Sequence, residues 1–221
     1  MPNGEVRKIC EKCKDVGYIP QKNGSVRKCE CLVLKEKMAI VERLFKDSKI
    51  PKRYLDFNYD NLVLDKSFIE KIKTHDLKEK RNSLLLFGGY GSGKTTLATV
   101  YLKAKVNEGI AGIFISVPDL LDHIRSAYDE AQRLSPDEII EQAKKVDLLV
   151  LDDLGAEKPS EWVKEKLFQI VNYRYNELLP TIFTSNLSPE ELENKIGERI
   201  VARIMEMAKI IKLVGRNLRE I

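Results

Sequence analysis

No apolar run in this chain approaches the roughly 18–20 residues that a bilayer-crossing helix needs. Its first residues are polar and lack the hydrophobic stretch of a secretory leader, so a cytoplasmic location away from membranes is expected. Internal repeats are absent, which sets aside solenoids and arrays. Histidine occurs only at His75 and His123, far apart in sequence; no chemistry is assigned to either, and both are expected at the exposed surface. Cysteine is missing from the 190 residues after Cys31, so thiol chemistry is confined to the N-terminal segment. What remains is ample for a packed core. The 221 residues are 43% hydrophobic and 33% charged, too apolar for a disordered chain and long enough for one domain with an appendage or two small domains.

The net charge of +4 is placed unevenly. Residues 1–60 hold 14 Lys and Arg against 9 Asp and Glu, whereas residues 61–221 hold 24 against 25. The N-terminal excess admits nucleic acid as a partner, and equally a solvated helix face. A second positive cluster lies near the C-terminus, with Arg199, Arg203, Lys209, Lys212, Arg216 and Arg219.

The four cysteines are spaced Cys10-x2-Cys13 and, fifteen residues on, Cys29-x-Cys31. Four thiolates can close a tetrahedral Zn²⁺ site, and a segment this small needs such a staple to fold. Disulfides or free buried thiols are the alternatives, although nothing marks an oxidising compartment. A catalytic zinc would keep an open position and usually a His or carboxylate ligand, so the metal expected here is structural. Short strands are expected at Val16–Pro20 and Ser25–Arg27. Leu34, Met38, Val41 and Phe45 then recur at helical spacing over residues 32–49, an amphipathic helix that Ile50-Pro51 breaks. The expected division is therefore 1–50, a zinc module with its helix, and 51–221.

Ser83–Phe87 reads as a short buried strand running into Gly88-Gly89-Tyr90-Gly91-Ser92-Gly93-Lys94-Thr95-Thr96 and a helical start. This is the complete phosphate-binding loop in its required strand–loop–helix context. Glycines let backbone N–H groups curl around phosphate oxygens, and the helix N-terminus adds its positive dipole end. Lys94 is expected at the β- and γ-phosphates and Thr95 at Mg²⁺. A second apolar strand, residues 146–151, ends in Asp152-Asp153. Asp152 is the candidate Mg²⁺ holder and Asp153 the residue that orients or deprotonates water. A third strand, Thr181–Thr184, precedes Asn186, which either contacts the water and γ-phosphate or caps the next helix; Ser188, with Pro189 at N1 and Glu191 at N3, is the better cap. Arg199 and Arg203 stand at i, i+4 on one helix face, placed either to reach a neighbouring subunit's γ-phosphate or to pair with Glu198 and Glu206. Tyr54 and Phe57 are the aromatic candidates for a base.

These elements in this order resemble the bacterial replicative helicase loaders of the DnaC/DnaI group, together with IstB-like transposition ATPases, within the AAA+ superfamily. The resemblance rests on the cysteine module, Ile50-Pro51-Lys52-Arg53-Tyr54, Gly88–Thr96, Leu148–Glu157 (LLVLDDLGAE), Thr184-Ser185-Asn186-Leu187, and Gly197-Glu198-Arg199 through Arg203 to Arg219. It implies a Mg²⁺-dependent ATPase, slow until assembled, with Arg203 as the arginine finger, Arg199 beside it and Arg219 contacting the nucleotide. It also implies an N-terminal module that grips a hexameric replicative helicase of DnaB/DnaC type. The core would self-associate through the finger and engage single-stranded DNA. Arg125, Arg133, Lys144 and Lys145, in the insertion between strands, are the candidate DNA-phosphate contacts or simply a solvated face.

The expected fold is α/β: an AAA+ P-loop core with a parallel five-stranded sheet between helices, no separate C-terminal lid, and the small zinc module in front. Strands are expected near 83–87, 111–117, 146–151, 180–184 and 209–213. A small-molecule kinase fits less well, because its zinc lid would follow the P-loop. A GTPase lacks support, since Asn194-Lys195-Ile196-Gly197 has no Asp to read guanine. A transposition helper or an ATP-switched adaptor remains as the functional alternative.

Overall fold

The structure is a computed structural model that describes residues 10–22, 24–128 and 135–214. The chain separates into two compact units, Met1–Arg43 and Leu44–Ile221. The divide falls inside a helix rather than at Ile50-Pro51, because Leu44, Phe45 and Ile50 pack on the second unit's core.

In the first unit, β1 (Tyr18–Pro20) and β2 (Val26–Lys28) form an antiparallel hairpin with Ile19 opposite Arg27. Helix α1 (Glu30–Asp47) then starts within the cysteine module, with Glu30 in its first turn and Lys46 in its last, complementing the helix dipole.

The second unit is built on a parallel sheet of order β4-β5-β6-β3-β7. Its strands are β3 (Ser83–Phe87), β4 (Gly112–Ser116), β5 (Leu148–Asp152), β6 (Thr181–Ser185) and β7 (Ala208–Lys212). Their continuous apolar runs suit strands buried on both faces. Alternation divides each strand between two cores. Leu84, Leu86, Leu148 and Val150 face the side covered by α2 (Lys66–Lys73) and α3 (Lys94–Asn107). Leu85, Leu149, Leu151 and Phe183 face α4 (Val117–Ser126), α5 (Pro136–Lys145), α6 (Glu161–Asn176), α7 (Pro189–Ile196) and α8 (Glu198–Met207). The open edge of β4 is covered where Phe114 N–H donates to the Ser48 carbonyl at 2.8 Å.

Helix starts follow local chemistry. Ser116, Ser135, Ser160 and Ser188 each accept the backbone N–H of the third residue of the helix they open. Ser135 and Ser188 form full capping boxes with Glu138 and Glu191, each cap contributing about 1 kcal/mol. Because Ser188 caps α7, Asn186 has no capping task.

Two buried groups overturn or extend the sequence reading. His75 lies inside, 3% exposed, where an exposed position was expected. Its Nε2 meets the Asn82 carbonyl at 2.9 Å, and burial holds its pKa below the ordinary value. Arg174 of α6 is wholly enclosed. Its Nε donates to Thr181 Oγ1 at 2.8 Å, and its terminal nitrogens donate to the carbonyls of Ala143, Lys144, Val146 and Pro180 at 3.1, 2.9, 2.8 and 2.7 Å. The guanidinium thereby caps the C-terminal end of α5 and ties it to the start of β6. Burial pulls its pKa down to about 9, which leaves it charged at neutral pH.

Candidate functional site

The P-loop begins where β3 ends. Gly88 has φ +147°, and a Cβ there would lie 2.2 Å from the Leu213 carbonyl oxygen, so any side chain would force β3 and the segment after β7 apart. Gly93, at φ +85°, opens α3, and a Cβ on it would fall 2.9 Å from Leu64 Cδ2. Between them, the buried Lys94 ammonium is held by the carbonyls of Gly88 and Gly89 at 2.9 and 2.7 Å, by Ser92 Oγ at 3.3 Å and by Asn186 Oδ1 at 2.8 Å.

Asp152 closes β5 opposite the loop. Thr184 Oγ1 donates to its Oδ1 at 2.6 Å, and the Thr95 hydroxyl also reaches this carboxylate. Burial pushes the Asp152 pKa up, against the two hydroxyls that stabilise the charged form. Asp153 adopts a left-handed φ of +58°, a conformation that Asp tolerates better than most residues. Its N–H donates to Thr184 Oγ1 at 2.9 Å, and its Oδ1 accepts from Asn186 Nδ2 at 2.8 Å. Asn186 therefore bridges Lys94 and Asp153. Only one amide orientation serves both: oxygen toward the ammonium and nitrogen toward the carboxylate.

These groups line a cavity of about 570 Å³ that also takes in Tyr90, Gly91 and Thr96. Tyr54, Phe57, Leu62, Val63 and Leu64 add an apolar wall, with Arg53 stacked 5.1 Å from the Tyr54 ring. Lys103 of α3 secures this wall by donating to the carbonyls of Leu55, at 2.6 Å, and Phe57. A lining that combines a buried ammonium with aromatic and aliphatic walls suits a ligand with both a phosphate and a base. The chemistry of the donor set fits Mg²⁺ as well, since Thr95 and Asp152 offer hard oxygen ligands side by side.

Sequence reasoning assigned no role to Thr184 or Glu157. Thr184 becomes a bridge only because β6 lies between β3 and β5. Glu157 is 7% exposed; its Oε2 accepts the Gly155 N–H at 3.0 Å, its Oε1 has no partner among the described residues, and burial pushes its pKa up. The LLVLDDLGAE run contains it, but nothing local signals that it turns inward.

Arg199 and Arg203 do not line the cavity. They stand on α8 with their guanidinium carbons 4.4 and 4.8 Å from the centre of the Phe168 ring, and neither pairs with a described carboxylate. Arg219 lies outside the described residues, as does Arg133. The other insertion cations are occupied: Arg125 pairs with Asp122 and stacks on Trp162, while Lys144 and Lys145 both pair with Glu141.

In the first unit, the Sγ atoms of Cys10, Cys13, Cys29 and Cys31 all lie within 4.8 Å of one another, with 3.8 Å between Cys10 and Cys29 and 3.3 Å between Cys13 and Cys31. A tetrahedron with metal–sulfur bonds of ~2.3 Å has edges of about 3.8 Å, so the cluster has the dimensions of a four-thiolate metal site. All four cysteines are free of disulfides. The N–H of Gly17 points at Cys13 Sγ at 3.3 Å, and backbone N–H groups of Cys13 and Lys12 lower the Cys10 thiol to about 7. Such donors favour the thiolate, the form that binds metal.

The family profile of IstB-like ATP-binding proteins matches residues 21–220. The chain belongs to that family. It is 29% identical over 161 residues to the replicative helicase loader DnaI of Bacillus subtilis, an alignment covering 67% of this chain and 51% of DnaI. This chain thus spans about half the length of that relative. It is 26% identical over 201 residues to the ATP-binding protein of insertion sequence IS5376 of Geobacillus stearothermophilus, covering 87% of this chain and 78% of the relative. Among solved structures, that of the DnaC helicase loader superimposes with a TM-score of 0.66 and 30% identity, covering 74% of this chain and 100% of that one. The core is thus of the AAA+ type, in a family of ATP-binding proteins. No described helix is long and apolar enough to cross a membrane.

Proposed function

We propose that this protein is an ATP-dependent replicative helicase loader acting in the initiation of DNA replication. The observation that carries the reading is the correspondence with the DnaC helicase loader over that protein's whole solved chain, joined to Lys94, Thr95, Asp152, Asp153 and Asn186 in one cleft. Tyr54 and Phe57 hold the base, and the P-loop backbone with Lys94 holds the phosphates. Thr95 and Asp152 would hold Mg²⁺, which supplies charge neutralisation at the β- and γ-phosphates. Asp153 takes a proton from, or orients, the attacking water, and Asn186 fixes that carboxylate. Arg203, with Arg199 beside it, completes the site of a neighbouring subunit, and Arg219 contacts the nucleotide. Hydrolysis is then slow in the isolated chain and rises on assembly.

The N-terminal unit carries structural Zn²⁺ on Cys10, Cys13, Cys29 and Cys31 and grips the hexameric helicase, while the second unit forms the ATPase and engages single-stranded DNA. Similarity to the IS5376 protein favours a second reading, a transposition helper. Native mass spectrometry with the same organism's replicative helicase, with and without ATP, separates the two. A defined complex that is lost on deleting residues 1–43, while ATP binding persists, supports the loader. Absence of any complex with the intact chain refutes it.

A further inference from the structure

Arginines four residues apart on a helix repel each other, and each side chain has about 2 kcal/mol of rotamer entropy to lose. Holding such a pair in one geometry requires a partner. Glu206, three residues after Arg203, is the near carboxylate, but neither arginine forms an ion pair with it among the described residues. The partner is α6 instead. Phe168, Asn172 and Tyr175 fall at i, i+4 and i+7, a stripe packed against α8. Both guanidiniums lie over the Phe168 ring, and Arg203 is also 5.8 Å from the Tyr175 centroid. Arg203 Nε donates to Asn172 Oδ1 at 2.6 Å, and its Nη1 donates to the Arg199 carbonyl at 2.9 Å.

A ring face and neutral oxygens orient a guanidinium without cancelling its charge. A carboxylate would have to be displaced before an anion could bind. Arg203 Nη2 and all of the Arg199 nitrogens have no hydrogen-bond partner among the described residues, so the donors suited to a phosphate are left over. Neither arginine lines the chain's own cleft, so the phosphate must come from elsewhere.

We propose that Phe168 and Asn172 are positioning residues that preset Arg199 and Arg203 as a fork for the terminal phosphate of a nucleotide held by a second copy of this chain. The inference rests on the trans-arginine reading above and adds that α6 builds the fork before subunits meet.

The test uses the full chain under assembling conditions with single-stranded DNA. Phe168→Ala and Asn172→Ala each lower kcat about tenfold, with KM and the affinity for a fluorescent ATP analogue unchanged. Phe168→Tyr, which keeps the ring, retains the wild-type rate. Asp153→Asn subunits, whose own site is silent, restore hydrolysis to Arg203→Ala subunits by lending an intact fork; Asp153→Asn/Phe168→Ala subunits restore about a tenth as much. If Arg203→Ala leaves hydrolysis unchanged, the trans-arginine reading fails and this inference with it. If Arg203→Ala abolishes hydrolysis while Phe168→Ala and Asn172→Ala hydrolyse at the wild-type rate, the positioning role alone is overturned. Asn172 is half-buried at the helix surface, so its variant keeps the test open should loss of the ring unfold the chain.

Discussion

Replacing Asn186 by aspartate changes one atom group and no shape, yet it inverts the polarity of the bridge between Lys94 and Asp153. The amide nitrogen that donates to Asp153 Oδ1 at 2.8 Å becomes an oxygen, setting two carboxylates in contact. At an effective dielectric of about 20, like charges about 4 Å apart repel by about 4 kcal/mol. One of the pair must then bind a proton or turn away, and either outcome removes Asp153 from work on water. The other half of the bridge survives, because the new carboxylate still accepts from Lys94. Nucleotide affinity should therefore stay within about threefold while kcat falls by ~10²-fold or more, the loss typical of a misplaced preorganised group. Asn186→Ala removes both hydrogen bonds to charged groups, each worth about 1.5–3 kcal/mol, and should weaken nucleotide binding as well. Folding stability should fall in both variants, because the opposed carboxylates or the two lost hydrogen bonds belong to the folded state, while α7 keeps its Ser188 cap. Steady-state hydrolysis alongside titration of a fluorescent nucleotide checks this. A kcat for Asn186→Asp within threefold of the wild type would refute the bridge as a catalytic arrangement.

Chelation at mildly acid pH should release one zinc per chain and unfold the first unit, while leaving nucleotide binding by the second intact; two zincs, or none, would contradict the four-thiolate site. Arg174→Ala should strip five hydrogen bonds from the junction of α5 and β6 and cost about 3–5 kcal/mol in denaturant unfolding. Trp162, the only tryptophan and on the same helix, reports that transition, and a loss below about 1 kcal/mol would show the clamp to be idle. His75 is held neutral by burial, so the unfolded chain binds its proton more readily and stability rises with pH up to its unfolded value of about 6.5. Thermal unfolding midpoints should thus fall on acidification through that window, less steeply in His75→Gln; equal slopes in the two proteins would remove His75 as the cause.

Features read within a few residues were legible without the fold. The glycine-rich loop after an aliphatic strand, the Ser-Pro-Glu-Glu capping box, the continuous apolar strands and the cysteine spacing all express short-range backbone chemistry. The eight residues of α2 were not anticipated, because a helix that short is stabilised by docking Ile69 and Ile72 rather than by its own sequence.

Sequence alone thus determined the chemistry on offer: a phosphate loop, two acidic residues at a strand end, a cysteine quartet and a pair of arginines. Tertiary structure decided which of these meet. Strand order is set by crossovers that no local pattern encodes, and placing β6 between β3 and β5 is what brings Thr184 and Asn186 to Asp152, Asp153 and Lys94. The same long-range packing turned His75 and Glu157 inward, set Arg174 against α5, and laid two arginines on a phenylalanine that stands over thirty positions earlier in the chain. Burial and contact across such separations depend on the whole chain's collapse, and that is the information a local reading lacks.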